Sequence, residues 1–188
     1  RLLVQTAEDG RRLESLGAPS ERIDRMGSVK YDVAEVDAEA ESRARTVLMR
    51  NGIRSGDLLW VGGSTWPGEE RALIEAYQSL KHDHPSLRLV LVPRHAERRL
   101  EVEAVIHECG VSHVRRSAMP DDGSVRASAP DVLLVDTTGE LMGFYACATV
   151  IFVGKSLTEH GGQNPIEPAL YGKPVVVGPN MENFAEVI

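Results

Sequence analysis

Several short runs of this chain combine glycine, proline, hydroxyl and charged residues in a way that suits an anion. They are Gly62-Gly63-Ser64-Thr65-Trp66-Pro67-Gly68-Glu69-Glu70, Pro93-Arg94-His95, Asp136-Thr137-Thr138-Gly139-Glu140-Leu141, Gly154-Lys155-Ser156 with Gly161-Gly162-Gln163-Asn164-Pro165-Ile166-Glu167-Pro168 behind it, and Gly178-Pro179-Asn180. Glycine lets a backbone approach a phosphate closely. Arg94 and Lys155 supply positive charge. Pro165 suits the first turn of a helix, where its missing N–H costs nothing. Asn164 then reads as the N-cap. Glu167 falls in the same first turn, where a carboxylate can accept two hydrogen bonds from a ribose diol. Each residue taken singly also has a plain structural reading: Arg94 as a surface neighbour of Arg98 and Arg99, Asn164 as a cap only, Glu167 as a complement to the helix dipole, and Gly178-Pro179 as a turn. Their recurrence in one kind of place favours a ligand site.

Familiar phosphate and nucleophile motifs fail on inspection. Gly154-Lys155-Ser156 looks like the end of a P-loop, but the earlier glycine would have to stand at Thr149. The Gly62–Gly68 loop does not give G-x-G-x-x-G, which disfavours a nicotinamide dinucleotide fold. It also fails the G-x-S-x-G elbow, at Trp66. No Asp-x-Asp is present to hold a divalent ion. His82 and His84 flank Asp83 at an expected helix end and have no third ligand in view, so they read as solvated. His95 and His160 fall in the anion-suited loops and are candidate contacts.

The elements that position these loops follow from the apolar pattern. Short runs rich in Val, Leu and Ile occur at Leu58–Gly62, Leu87–Val92, Val111–Val114, Val132–Val135, Val150–Val153 and Pro174–Val177. They lack polar alternation, as strands buried on both faces do. Helical patterns at Gly68–His84, His95–Cys109, Gly139–Cys147 and Pro165–Gly172 separate most of them. The alternation predicts a Rossmann-like α/β fold, a parallel sheet with helices on both faces. Every anion-suited loop then follows a strand and lies at the carboxyl rim of the sheet, where such sheets bind ligands. Ser117–Pro130 is polar and reads as a long loop. Upstream, Leu2–Val4 and Ile23–Met26 read as strands, Glu8–Leu16 as a helix, and Val33–Arg50 as a helix by propensity.

Composition bounds the rest. The chain has 188 residues, 21 basic and 28 acidic side chains, and a formal charge of −7. A net-acidic chain is a poor general nucleic-acid binder. An apolar fraction of 42% and a charged fraction of 26% are those of an ordinary globule. Cys109 and Cys147 form neither a disulfide framework nor a zinc pattern, which predicts a reducing compartment. No apolar run approaches the ~20 residues that span a bilayer. The chain opens at Arg1 inside a strand pattern and stops at Ile188 in a helical one, which predicts a piece of something longer.

Taken in order, the motifs resemble the C-terminal half of bacterial 3-deoxy-D-manno-octulosonic acid (Kdo) transferases, the lipid A glycosyltransferases. The residues that carry the resemblance include Gly27-Ser28-Val29-Lys30-Tyr31-Asp32, Ser64–Glu70, Pro93-Arg94-His95, Val135–Met142, Phe152–Leu157, Gly161–Pro168 and Gly178–Phe184. They span nearly the whole chain. The resemblance implies a GT-B architecture of two Rossmann-like domains, this chain being the C-terminal, donor-binding one. Residues 1–33 would be the end of the N-terminal domain and the crossover, and 34–188 the donor domain, truncated at its C-terminus. It further implies transfer of Kdo from CMP-Kdo to a lipid A precursor, inverting and metal-independent, with no cofactor, at the cytoplasmic face of the inner membrane. The general base, the acceptor contacts and the membrane association would belong to the N-terminal region, so a fragment of this extent would bind nucleotide without catalysing alone.

Donor-binding roles carry over by motif. Arg94 and His95 resemble the contact to the cytidine nucleotide. Gly139, Glu140 and Leu141 begin a helix near base and phosphate. Ser64 and Thr65 line the loop by the sugar or phosphate. Asn164 and Glu167 resemble the residues that hold the phosphate end and the ribose hydroxyls. Lys155 adds charge towards the phosphate or the Kdo carboxylate, or faces solvent. The usual pattern has Asn where this chain has Ser28, His at Trp66, Gly at Lys155 and His at Gln163. Two other readings stand beside this one. A GT-B enzyme using a UDP-sugar, of the MurG or sugar 2-epimerase type, would prefer UMP over CMP. A non-catalytic α/β binding module would bind no nucleotide.

Overall fold

The structure, a computed structural model, describes residues 1–27, 37–120 and 122–188. The Ser28–Asp32 motif, the first residues of the helix expected from Val33, and Asp121 of the expected loop lie outside the described residues. The chain divides into two compact units, Arg1–Glu35 and Val36–Ile188.

In the first unit β1 (Leu2–Val4) and β2 (Ile23–Arg25) pair in parallel around α1 (Ala7–Ser15), with Leu2 opposite Ile23. Thr6 starts the helix by a reciprocal cap. Its Oγ1 accepts from the Asp9 N–H at 3.0 Å, and the Asp9 carboxylate accepts from the Thr6 N–H at 3.2 Å.

The second unit begins with α2 (Ala38–Arg50), capped by Asp37, whose Oδ1 accepts from the N–H groups of Glu39 and Ala40 at 2.9 Å each. Then follow β3 (Leu58–Thr65), α3 (Glu69–Lys81), β4 (Leu87–Pro93), α4 (Arg99–Glu108), β5 (His113–Arg115), β6 (Val132–Leu134), α5 (Leu141–Cys147), β7 (Val150–Val153), α6 (Ile166–Ala169) and β8 (Val175–Val177). The six strands form one parallel sheet in the order β5-β6-β4-β3-β7-β8.

Alternation of side chains sorts the core into two layers. Leu59, Val61, Val90, Val92, Leu133, Val135, Ile151 and Val153 meet Ala44, Val47 and Leu48 of α2 and Phe144 and Tyr145 of α5. Leu87, Leu89, Leu91, Val132, Leu134 and Phe152 meet Leu73, Ile74 and Tyr77 of α3 and Val102 and Ile106 of α4. The strands are apolar on both sides because helices cover both sides.

Boundaries differ from expectation at two places that matter. Strand β3 continues past Gly62 to Thr65: Gly62 and Gly63 pair with Leu91 and Val92 on one side and with Phe152 and Val153 on the other. Gly63 is required because a Cβ there would stand 2.0 Å from the Tyr145 hydroxyl. The helix expected over Pro165–Gly172 is the short α6, with Pro165 at its N-cap and a turn from Leu170.

The connections fix where a ligand crevice can form. From β3 the chain proceeds through β4 towards β6 and β5, then returns to the opposite side of β3 for β7 and β8. The direction of winding reverses between β3 and β7, and open α/β sheets bind ligands outside the carboxyl ends at such a point.

Candidate functional site

The loops leaving β3 and β7 flank this reversal point, and one carboxylate joins them. Glu69, the first residue of α3, is fully buried. Its Oε2 accepts from the Trp66 N–H at 2.8 Å and from the Lys155 N–H at 2.9 Å. Its Oε1 accepts from the N–H groups of Ser156 at 3.0 Å and Leu157 at 2.9 Å. A carboxylate can take that many donors, and bonds to a charged acceptor are the strong ones. Ser156 extends the brace to the next strand: its Oγ donates to the Val153 carbonyl at 2.5 Å and accepts from the Gly178 N–H at 2.9 Å.

The next residue, Glu70, is also buried and does separate work. It accepts from the Thr65 hydroxyl at 2.8 Å and pairs with both terminal nitrogens of Arg98 at 2.8 and 3.3 Å. Arg98 in turn reaches Glu101 at 2.7 Å. The basic cluster read from sequence therefore splits. Arg98 is internal and paired, its side chain 14% exposed. Arg94, beside it on the rim, is exposed and its guanidinium has no partner among the described residues.

Above this foundation sits a ring of side chains from three loops. The Trp66 and His95 rings meet edge to face at 5.8 Å. The Lys155 Nζ lies 4.9 Å from the centre of the Trp66 ring, a cation–π contact. Trp66 Nε1 is buried and finds no acceptor among the described residues. Ser64 and Lys155 both adopt left-handed backbone, with φ of 52° and 57°. Non-glycine residues rarely do so, and such conformations concentrate at ligand sites.

The other sequence-chosen residues divide. Asn164 and Glu167 come together, the Asn164 Nδ2 donating to Glu167 at 3.2 Å. Asn164 is one residue outside the N-cap position, yet its Oδ1 still accepts from the Ile166 N–H at 3.0 Å, so it caps α6 from there. Glu167 lies near the buried Tyr145 hydroxyl, whose pKa is pushed up by burial first and by the Glu167 charge second. Arg94 is tied to the rim by its N–H on the Thr65 carbonyl at 3.1 Å. Thr65 is fully buried, its hydroxyl occupied by Glu70, so it supports the rim from below. Gly139 precedes α5 with φ 81°, and Leu141 packs against the core. The Glu140 carboxylate is engaged by Arg116 at 3.1 Å and by the Thr137 hydroxyl. His160, expected as a candidate contact, pairs instead with Glu182 at 2.9 Å.

Sequence reasoning missed Glu69, Glu70 and Arg98 as the frame of the site. The available signal was an acidic pair directly after Trp66-Pro67-Gly68, at the first turn of a helix opening onto the rim. Its partners on the β7 loop are more than eighty residues away in the chain.

No protein-family model matches the chain. The 3-deoxy-D-manno-octulosonic acid transferase of Haemophilus influenzae is 33% identical over 188 residues, covering 99% of this chain and 42% of that protein. The enzyme of the same name from Bordetella pertussis is 36% identical over 198 residues, again 99% of this chain and 42% of the relative. The chain thus spans less than half the length of these curated relatives. A crystal structure of the C-terminal CMP-Kdo binding domain of WaaA from Acinetobacter baumannii is 31% identical, with a TM-score of 0.68 over 80% of this chain and 76% of that one. Sequence and fold therefore agree: the chain belongs to the 3-deoxy-D-manno-octulosonic acid (Kdo) transferase family and corresponds to its C-terminal part.

Proposed function

We propose that this chain is the donor-binding part of a glycosyltransferase that moves Kdo from CMP-Kdo to a lipid A precursor. The observation that carries the reading is the convergence of the β3 and β7 loops at the winding reversal, braced by Glu69, in a fold shared with a CMP-Kdo binding domain. Arg94 and His95 take the nucleotide at the end of β4, with Gly139, Glu140 and Leu141 at the neighbouring strand end. Asn164 and Glu167 take the phosphate end and the ribose hydroxyls. Ser64 and Lys155 face the sugar, and Thr65 sets the loop that holds them. The exposed Arg94 suits a single-phosphate leaving group, so charge on that group can be stabilised without a metal. Residues 1–33 belong to the end of an N-terminal domain and the crossover. That domain supplies the general base, the acceptor contacts and the association with the cytoplasmic face of the inner membrane. Transfer is inverting.

The test is nucleotide binding by thermal shift or calorimetry with CMP, UMP, ADP and NAD, without added metal. A ligand at ~100 times its dissociation constant adds about 2.7 kcal/mol of stability. CMP is expected to bind, and Arg94→Ala and Glu167→Ala are each expected to weaken it on an intact fold. A preference for UMP moves the assignment to a UDP-sugar enzyme. Unchanged affinity in either variant removes the role given to that residue.

A further inference from the structure

At the reversal point the rim presents a lysine, Lys155, seated on an aromatic face. The Lys155 ammonium rests on the Trp66 face and makes no ion pair among the described residues. Three carboxylates of the surrounding loops and helix starts are occupied. Glu69 is saturated by four backbone N–H groups. Glu70 is held by Arg98 and Thr65. Glu182 is held by His160 and the Gly161 N–H.

The position of this charge is fixed from two sides. One oxygen of Glu69 holds the backbone amides of both Trp66 and Lys155, so ring and ammonium are set relative to one another by a shared buried acceptor. Lys155 also keeps a left-handed φ of 57°, a conformation glycine would adopt freely and lysine does not. An aromatic face seats a cation without cancelling its charge. The Trp66 Nε1–H, buried without an acceptor among the described residues, leaves a donor on the same ring. With Arg94 at the end of β4, the rim carries at least two cations without an ion pair among the described residues, enough to match a phosphodiester and one further anionic group.

We propose that the Lys155 ammonium, seated on Trp66, reads the carboxylate of an acidic donor sugar and so separates it from the nucleotide alone or a neutral sugar. This rests on the donor-site reading above and makes Lys155 and Trp66 the specificity pair of that site.

The experiment compares the affinities of CMP and freshly prepared CMP-Kdo for the 188-residue chain and for four variants. In the unaltered chain CMP-Kdo is expected to bind about tenfold tighter than CMP, the worth of one charge-assisted hydrogen bond at the low end. Lys155→Met closes that margin and changes CMP affinity less than about twofold. Lys155→Arg retains most of the margin. Trp66→Ala, which removes the seat, narrows it, and Trp66→Phe, which keeps an aromatic face, narrows it less. Three results overturn the proposal: CMP bound with no margin for CMP-Kdo, a margin that survives Lys155→Met, or an equal loss of both ligands, which would make Lys155 a phosphate contact. Failure to bind CMP at all refutes the donor-site reading itself, and this inference with it.

Discussion

Replacing Glu69 by Gln tests whether one buried carboxylate holds the rim together. The substitution keeps shape and removes one acceptor oxygen. Whichever way the amide is turned, its NH2 faces two of the four backbone N–H groups that Glu69 now accepts, at 2.8–3.0 Å. Hydrogen bonds to a charged acceptor contribute roughly 1.5–3 kcal/mol each, so two lost bonds amount to about 3–6 kcal/mol. Opening of the loop to water recovers part of this. The expected loss is about 3–5 kcal/mol, the range seen when one partner of a buried charged arrangement is removed. For a domain of this size that lowers the melting temperature by roughly 6–20 °C. Urea unfolding with an unchanged m-value measures the loss, and CMP titration of the folded variant measures the rim. A loss below about 1 kcal/mol, with CMP affinity intact, would refute the claim that Glu69 braces both loops.

Further outcomes follow from the same geometry. Arg98→Met leaves Glu70 buried beside Thr65 without its cation and should destabilise by about 3–5 kcal/mol in urea unfolding, with a Glu70→Gln/Arg98→Met double variant recovering part. Additive losses would argue against a coupled pair. Gly154→Ala puts a Cβ 2.2 Å from the Ser64 carbonyl oxygen, so it should cost about 1–3 kcal/mol by overpacking against backbone and weaken CMP binding. Gly10→Ala meets only Ile23 and Val4 at 3.5 and 3.8 Å inside α1 and should stabilise the first unit slightly, so a stable Gly154→Ala or a damaged Gly10→Ala contradicts the packing. The Glu182 carboxyl is held down to about 2 from an ordinary 4.5, first by His160 and then by backbone N–H groups. A depressed acid contributes stability above its unfolded value and loses it as pH falls through the folded one. The advantage of the unaltered chain over Glu182→Gln should therefore be full above pH 4.5 and shrink towards pH 2, as followed by melting temperature. An advantage constant across that window would contradict the contact.

Much of the scaffold was legible because burial on both faces leaves an unbroken signature. The apolar run Val150–Val153 coincides with β7, and Leu87–Val92 falls short of β4 only by Pro93. The apolar pattern of β3 stops at Gly62 because glycines carry no apolar signal, although two neighbouring strands pair with Gly62 and Gly63. Helix α6 is shorter than its apolar pattern suggests, since residues 170–172 form a turn. At the site, the strand-following loops were visible because their residue types are local. The brace was not, since a carboxylate at a helix start looks the same whether it complements the dipole or gathers amides from a distant loop. Thr65, which the resemblance puts in the loop by the sugar or phosphate, has its hydroxyl committed to Glu70.

The amides of Trp66, Lys155, Ser156 and Leu157 share a single acceptor group although they come from two loops. None can be released singly at small cost, because moving the carboxylate frees all four. Hydrogen–deuterium exchange should therefore report one opening event for these positions, at one common free energy, above that of the surrounding loop. A nucleotide touching either loop would slow exchange in both by the same factor.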